Sequence, residues 1–200
     1  MIDAMQLIIQ KLKKSLRNEK VFTASVECGQ FLPEWRPDSD YQLSYSAKKS
    51  QGGGVLRDLS HEIDYSFFLL GKWKCVSGII SKMSDLKIET EDMVNALFKM
   101  ESGATLSIQL DYLSPIPKRE LSLTTDKSKY KIDLINGTFK SNNVVEQLNL
   151  ERNVTYKAQL SDFLEGKEDT LCTFNEGLEI VKFIEKLEQA SELRVWVDND

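Results

Sequence analysis

The chain lacks the features that indicate a metalloprotein, a disulfide-stabilised protein or a membrane protein. Its three cysteines, Cys28, Cys75 and Cys172, lie far apart and form no C-x-x-C pair, which indicates buried thiols rather than a disulfide framework or a zinc site. No apolar run approaches the length of a membrane span, and no signal-peptide pattern opens the chain. We therefore expect a cytoplasmic protein that has no metal site and does not contact a membrane.

An excess of positive charge is absent as well. The 26 basic and 31 acidic side chains give a formal net charge of -5, which argues against nucleic-acid binding because such binding depends on clustered positive charge. The hydrophobic content of 41% is ordinary for a globular protein, and 200 residues suffice for one buried core. We predict one domain over residues 1-200, in which 1-20 form a leading helix and 21-200 form the core.

The most informative stretch is residues 52–71, GGGVLRDLSHEIDYSFFLLG. Its three glycines, Gly52, Gly53 and Gly54, present no side chains, so another part of the chain or a ligand can approach the backbone closely there. The apolar residues that follow recur at steps of three and four, which predicts one helix that ends at Gly71. Its buried stripe is predicted to consist of Leu56, Leu59, Ile63, Phe67 and Leu70.

Polar side chains lie on a second stripe of the predicted helix. Asp58 and His61, the only histidine, are expected to share one side of the first two turns with Tyr65, and Asp64 lies beside them. Such a pair is either a surface or packing pair or an acid–base pair. A glycine entry into the positively charged end of a helix favours a ligand site, so we expect the imidazole to face a cavity.

A long segment without regular periodicity, residues 30–51, precedes the glycines. Long ordered loops often carry function. Its side chains suit a sugar, because aromatic faces stack on C–H-rich rings while phenol, guanidinium and ammonium groups donate hydrogen bonds. Alternatively, the aromatic side chains only pin the loop to the core. The candidates for substrate contact are Trp35, Arg36, Tyr41, Tyr45 and Lys48 of this segment, together with Asp64 of the predicted helix.

Periodicity also predicts the remaining helices. Residues 2–18 form a helix with a stripe made of Met5, Ile8, Ile9, Leu12 and Leu16. Residues 156–164 are predicted to form another helix. Residues 174–190 form a third one, opened by a capping box of Thr173 and Glu176. Its predicted buried stripe is Leu178, Val181, Ile184 and Leu187.

Alternation of apolar and polar residues predicts the strands. The first, residues 21–29, is expected to bury Phe22, Ala24, Val26 and Cys28. Further strands are predicted over 76–83, 93–100, 104–112, 121–125, 130–135 and 138–140, with 194–197 as a candidate for the last. This order indicates an α+β fold, an open, mainly antiparallel sheet of about six strands. Helices cover one face, and the other face is available for dimerisation.

The glycine-rich helix resembles the signature helix in the C-terminal domain of the Gfo/Idh/MocA family of NAD(P)-dependent oxidoreductases. The preceding run, with Trp35-Arg36-Pro37, Tyr41, Tyr45 and Ala47-Lys48-Lys49, is similar to the family's approach to that helix. The resemblance extends from about residue 21 to the end of the chain. It implies that His61 is the acid/base at the substrate hydroxyl or carbonyl and that Asp58 assists it. Many family members separate these two residues by four steps, with a glycine between them, whereas three steps separate them here.

The family's nucleotide-binding half has no counterpart in the sequence. No G-x-G-x-x-G follows a strand, and no strand–helix alternation precedes residue 21. The resemblance implies NAD or NADP in the complete enzyme, supplied by a Rossmann cofactor domain, a sugar or sugar-nucleotide substrate, and a homodimer formed through the sheet. We expect the isolated chain to bind no cofactor and not to turn over. In the complete enzyme, the cofactor can approach the backbone closely at Gly52, Gly53 and Gly54.

Three interpretations stay open at this point. The chain can be part of a full dehydrogenase, which we favour. It can be a short protein that works with a separately encoded cofactor domain. It can also be a non-catalytic sugar-binding or dimerisation module derived from the family.

Overall fold

A computed structural model describes residues 3–148 and 173–199 together with Leu160 and Leu164, and it describes side chains from Leu7 onward. Over these residues the chain forms an open, mixed sheet of nine strands with helices packed on one face. No helix in the described ranges has the length and apolar character needed to cross a membrane. The α+β class predicted from the sequence is confirmed. The predicted helix over 156–164 lies outside the described residues apart from Leu160 and Leu164.

Helix α1 (Asp3–Ser15) continues into a 3-10 turn at Leu16–Asn18 and covers one end of the sheet. Its predicted apolar stripe is buried at Ile8, Ile9 and Leu12 and at Leu16 of the turn, because these positions recur at helical spacing.

Strand β1 (Val21–Gly29) buries Ala24, Val26 and Cys28 as predicted. Phe22 was wrongly assigned to the buried face, since its side chain is 49% exposed. The pairing of β1 with its neighbour shifts register between Val21 and Thr23, and this irregularity breaks the alternation at the start of the strand.

The other strands are β2 (Trp73–Ser81), β3 (Met93–Met100), β4 (Thr105–Asp111), β5 (Lys118–Thr125), β6 (Lys129–Asp133), β7 (Thr138–Ser141), β8 (Val144–Gln147) and β9 (Val197–Asp198). Their order in the sheet is β8-β7-β6-β5-β1-β4-β3-β2-β9. All neighbours are antiparallel except β1 and β4, which are parallel. Strands β1 and β4 therefore end at the same edge of the sheet, and β5 starts there.

The prediction of about six strands was wrong, because the sheet extends further at both edges. Strand β8 has four exposed residues, so it lacks the apolar alternation that reveals a strand in a sequence. It forms through backbone pairing with β7, to which it is joined by a turn with Asn142 at φ 52°. At the other edge, β9 has only two residues, and the preceding Arg194 adopts a left-handed conformation at the end of a helix.

The predicted signature helix is divided into two. Helix α2 (Val55–Asp58) is followed by Leu59, which has φ −105° and ψ 19°, and helix α3 (Ser60–Leu70) then ends at Gly71 as predicted. The buried part of the predicted stripe includes Leu56, Leu59 and Ile63. Because Leu59 interrupts the helix, the spacing between Asp58 and His61 no longer determines which way their side chains point.

Helix α4 (Phe174–Leu193) packs across β2 and begins with the predicted capping box, in which Thr173 and Glu176 bond reciprocally. Its buried residues are Phe183, Ile184, Leu187 and Ala190. The inclusion of Leu178 and Val181 in the buried stripe was wrong, because they are 39% and 53% exposed. The helix packs against the described core through its second half, where Phe183 stacks on Phe98 with ring centroids 5.2 Å apart.

Candidate functional site

Glu62, in the first turn of α3, lies at the centre of a buried network of polar side chains. Its side chain has no exposed surface, although a carboxylate is costly to bury. Its Oε1 lies 2.5 Å from a guanidinium nitrogen of Arg119 and 3.0 Å from Nε2 of His61. Its Oε2 accepts a hydrogen bond of 2.8 Å from the hydroxyl of Tyr65. These contacts join α3 to β5, because Arg119 lies near the start of that strand.

The charges of this network determine its protonation state. Burial by itself raises the pKa of Glu62, but the hydrogen bond from His61 and the charge of Arg119 outweigh burial and hold that pKa below its ordinary value. Burial, followed by the charge of Glu62, raises the pKa of Tyr65 well above its ordinary value, so its hydroxyl remains a donor. The network therefore contains an ionised carboxylate at neutral pH, compensated by a guanidinium.

His61 stands on the solvent-facing side of the network. Its side chain is 32% exposed, so packed aliphatic groups do not enclose the ring. Its Nε2 faces Glu62, whereas Nδ1 has no hydrogen-bonding partner among the residues that the structure describes. One ring nitrogen is thus held by the protein, and the other is able to exchange a proton with a bound molecule.

Asp58 makes its hydrogen bond to a different part of the fold. Its Oδ2 accepts a bond of 2.6 Å from the hydroxyl of Tyr112, which directly follows β4. Burial, followed by the hydrogen bond to Asp58, raises the pKa of Tyr112, so the phenol stays protonated. In place of the predicted partnership of Asp58 with His61, the structure contains two pairs, Asp58 with Tyr112 and His61 with Glu62. The catalytic roles of His61 and Asp58 stay predictions.

The close approach expected at the glycines is made by the chain itself. A Cβ at Gly53 would lie 2.1 Å from the carbonyl oxygen of Tyr45, and one at Gly54 would lie 2.2 Å from a carboxylate oxygen of Glu91. Gly54 also has φ 117°, in the region that favours glycine. Nothing within the described residues lies within 4 Å of a Cβ at Gly52. Packing against the preceding loop and Glu91 thus accounts for two of the three glycines.

The aromatic residues of the loop divide into anchors and an exposed group. Nε1 of Trp35 donates to the carbonyl of Gln30 at 3.0 Å, and the hydroxyl of Tyr41 accepts from the backbone N–H of Lys87 at 3.4 Å. Both side chains are half-buried and pack against the core, as the alternative interpretation of the loop expects. Tyr45 is 45% exposed, so part of its surface is available for contact with a ligand.

The remaining three predicted substrate contacts differ in their surroundings. Arg36 is exposed, and Lys48 is half-buried. Asp64 is also half-buried, and burial, followed by the negative charge of Glu176, raises its pKa. The charge of His61 has the opposite effect and lowers the pKa of Asp64. Asp64 is therefore close enough to interact electrostatically with both His61 and the first turn of α4.

Sequence reasoning missed Glu62 and Arg119. Arg119 is only 7% exposed and lies in phase with Leu121 and Leu123, the buried residues of β5. Extending that alternation one step backwards would have placed an arginine on the inner face, where it requires a carboxylate. Glu62 gives no such signal, because helical spacing does not tell which of several acidic residues in α3 faces a strand.

The described residues contain no group of three or more His, Cys, Asp or Glu side chains placed to hold an ion. Cys28 and Cys75 are buried and unpaired, and burial raises the pKa of Cys28, so it stays a thiol. Cys172 lies outside the described residues. Among the described residues, one concavity crosses the outer face of the sheet and another borders α4. His61 lines neither of these two, so neither is the cavity that the sequence led us to expect beside the imidazole.

A family model supports the similarity noticed in the sequence. The model of the GFO/IDH/MocA C-terminal domain matches residues 9–133, which is more than half of the chain and includes α2, α3 and the Arg119 region. Comparison with curated protein sequences gave no match.

Solved structures share the fold at low sequence identity. An aldose-aldose oxidoreductase from Caulobacter crescentus, complexed with glycerol, is 20% identical with a TM-score of 0.80, covering 99% of this chain and 61% of its own. Levoglucosan dehydrogenase in complex with NADH and levoglucosan is 14% identical with a TM-score of 0.80, covering 98% and 63%. GenD2 from gentamicin A biosynthesis, in complex with NAD, is 17% identical with a TM-score of 0.74, covering 98% and 60%. The chain thus spans about three fifths of each neighbour.

Replacing Arg119 tests whether the buried ion pair supports the fold. Arg119→Met leaves the carboxylate of Glu62 buried without its guanidinium, so we expect a loss of about 3–5 kcal/mol in the free energy of unfolding at neutral pH. Urea denaturation followed by circular dichroism measures it. Lys118→Met is the matched control, because Lys118 forms an exposed ion pair with Glu27, and it should cost less than about 1 kcal/mol.

The effect of Arg119→Met should depend on pH. The folded-state pKa of Glu62 is lowered, so the carboxylate contributes stability above its unfolded pKa of about 4.3 and loses it as the pH falls through the lower folded value. The difference between wild type and variant should therefore be largest at neutral pH and narrow in acid. If the free energies of unfolding of wild type and Arg119→Met differ by the same amount at neutral and at acid pH, the ion pair is not the cause of the difference.

Proposed function

Because the chain belongs to the Gfo/Idh/MocA family through its C-terminal domain, we propose that it is the substrate-binding and catalytic-helix part of an NAD(P)-dependent sugar or sugar-nucleotide oxidoreductase. The observation that carries the proposal is His61, which is partly exposed at the start of α3 with one nitrogen held by a buried carboxylate. In this proposal residues 1-200 form one substrate-binding and dimerisation domain.

The proposed reaction is the reversible oxidation of a sugar hydroxyl to a carbonyl. The C–H bond of the alcohol carbon breaks, and NAD(P), when bound in the complete enzyme, supplies the hydride acceptor. His61 takes the proton of the hydroxyl as the carbonyl forms, and it returns that proton in the reverse direction. A histidine suits this step because an imidazole gains and loses protons near neutral pH.

Asp58 is proposed to assist at the same site. Tyr112 occupies its Oδ2, and among the described residues no partner occupies Oδ1. An ionised carboxylate can only accept hydrogen bonds, so Oδ1 would accept one from a substrate hydroxyl. This arrangement differs from the assistance implied by the family resemblance, because Asp58 acts on the substrate rather than on the imidazole.

The sugar-contacting residues are proposed from their exposure. Tyr45, Arg36 and Lys48 have side-chain surface available, and their loop is held next to the site through Trp35, whose ring meets Tyr112 edge-on with centroids 5.2 Å apart. Trp35 and Tyr41 would then shape the site by anchoring the loop. Asp64, beside His61, would interact with polar groups of the substrate.

The greater length of the structural neighbours indicates where a cofactor would be bound in a complete enzyme. Two of the structural neighbours are described as complexes with NADH or NAD, and the chain corresponds to about three fifths of each. We propose that a Rossmann cofactor domain supplies the nicotinamide and that this chain alone does not hold it. The alternative is a non-catalytic sugar-binding or dimerisation module, in which the contact of His61 with Glu62 only stabilises the fold.

The outer face of the sheet is proposed to pair two copies of the chain. This face is mainly polar, with Ser25, Ser107 and Gln109 along the central strands. Ile79, Leu97 and Trp196 nevertheless leave 60%, 46% and 46% of their surfaces exposed there, around a shallow concavity. An exposed apolar cluster within a polar face is typical of a protein interface.

Ligand titration tests whether the chain binds a sugar but no nicotinamide, which the proposed function requires. We expect at least one sugar or sugar nucleotide from a panel to stabilise the chain by about 2.7 kcal/mol at 100 times its Kd, detected as a higher Tm. NADH and NADPH, followed by fluorescence, should not bind the isolated chain at micromolar concentration. Tyr45→Ala should reduce the sugar effect, whereas Lys140→Ala, exposed on β7, should not. Nicotinamide binding without any response to sugars would contradict the proposal.

Turnover in the complete enzyme tests the role of His61. His61→Ala removes the group that takes the hydroxyl proton, so kcat should fall by about two to four orders of magnitude. The change in nicotinamide absorbance during steady-state turnover measures the rate. Glu101→Ala, in the exposed turn after β3, is the control and should leave the rate unchanged. Near-normal turnover of the His61 variant, with sugar binding intact, would contradict the acid/base role of His61 and leave its contact with Glu62 as a contribution to the fold alone.

The mass in solution tests the sheet interface. We expect size-exclusion chromatography with light scattering to give twice the mass of one chain at micromolar concentration. Leu97→Lys places a charge in the exposed apolar cluster and should give monomers, because an unpaired charge at an interface is costly. Lys14→Glu, which changes the charge of an exposed position on helix α1, away from the outer face of the sheet, is the control for a general charge effect. A monomeric wild-type chain would remove the proposal.

A further inference from the structure

The contact between Glu62 and His61 constrains the imidazole more than its exposed surface suggests. His61 precedes Glu62 in the first turn of α3, and its Nε2 lies 3.0 Å from Oε1 of the carboxylate. The same oxygen lies 2.5 Å from Arg119, and the other oxygen accepts the hydroxyl of Tyr65. The carboxylate is therefore held from two elements, α3 and β5, before it meets the ring.

The chemistry of the carboxylate determines which nitrogen carries the proton. Arg119 and Tyr65 are both donors, so they stabilise the ionised form of Glu62, and an ionised carboxylate can only accept hydrogen bonds. A ring nitrogen 3.0 Å from this oxygen is more stable as N–H than with its electron pair turned to the negative charge. A neutral imidazole has only one N–H, so a proton on Nε2 leaves Nδ1 with a free electron pair.

We propose that Glu62 is the positioning residue of His61, which it holds in the Nε2–H tautomer so that Nδ1 is the atom that takes the substrate proton. The proposal rests on the proposed function for the identity of that proton, whereas the tautomer itself is a property of this chain. Glu62 acts through His61 and has no contact with a substrate, because its side chain has no exposed surface.

The surroundings of the ring explain why other acidic residues do not take this role. Asp58 is bonded to Tyr112 through Oδ2. Asp64 is one turn further along α3 and has a raised pKa, caused first by burial and then by Glu176. Of these three carboxylates, Glu62 is the one in contact with Nε2 of the ring, and the buried guanidinium of Arg119 keeps it ionised.

Nitrogen NMR can read the tautomer directly, because His61 is the only histidine in the chain. Long-range proton–nitrogen correlation spectra of the wild-type chain, at a pH where the ring is neutral, should show Nε2 protonated and Nδ1 unprotonated. Glu62→Gln keeps the size of the side chain but replaces the ionised acceptor with an amide. In that variant the two nitrogen signals should move towards each other, as the ring comes to sample both tautomers. Asp58→Asn is the matched control and should leave the wild-type pattern unchanged.

Two outcomes would overturn the proposal. One is a wild-type spectrum with the proton on Nδ1. The other is a Glu62→Gln spectrum identical to wild type. If Glu62→Gln does not fold, the wild-type spectrum and the Asp58→Asn spectrum still decide the matter, since loss of the Nε2–H pattern in Asp58→Asn would assign the role to Asp58. None of these readouts depends on turnover, so failure of the proposed oxidoreductase function would leave the tautomer result standing.

Discussion

The ion pair between Glu62 and Arg119 is the constraint on which the site depends. A carboxylate without exposed surface is tolerated only when a cation and hydrogen-bond donors compensate it, and Arg119 and Tyr65 supply them. Because Glu62 belongs to α3 and Arg119 to β5, the pair determines where the first turn of the helix lies relative to the sheet. His61 lies against the same carboxylate, with its Nε2 3.0 Å from Oε1 of Glu62.

The topology of the sheet brings these residues to one edge. Strands β1 and β4 are parallel and end at the same edge, and β5 begins there on the other side of β1. Arg119 thereby reaches Glu62, and Tyr112, directly after β4, reaches Asp58. The loop of residues 30–51 packs over the same edge through Trp35, so a candidate sugar site and a candidate acid–base group come together from segments far apart in the sequence.

Local patterns predicted the elements that bury an alternating or helical stripe. Helix α1, strand β3 and the capping box at Thr173 agree with the sequence because each expresses its periodicity or cap within a few residues. The patterns were misleading where burial depends on distant contacts. Leu178 and Val181 have helical spacing but precede the part of α4 that contacts the described core, and β8 pairs through its backbone without an apolar face.

The site likewise has features that local sequence predicted and features that depend on distant contacts. The sequence by itself determined that glycines would precede a helix, that this helix would carry Asp58 and His61, and which family the chain resembles, because these features lie within one short stretch. Only the tertiary structure decided the partners of those side chains. Asp58, which ends α2 just before the interruption at Leu59, accepts a hydrogen bond from Tyr112, and the pairing of β1 with β5 brings Arg119 to Glu62. A buried charge is compensated by groups that lie near it in space, and the spacing of residues along the chain does not predict which groups those are.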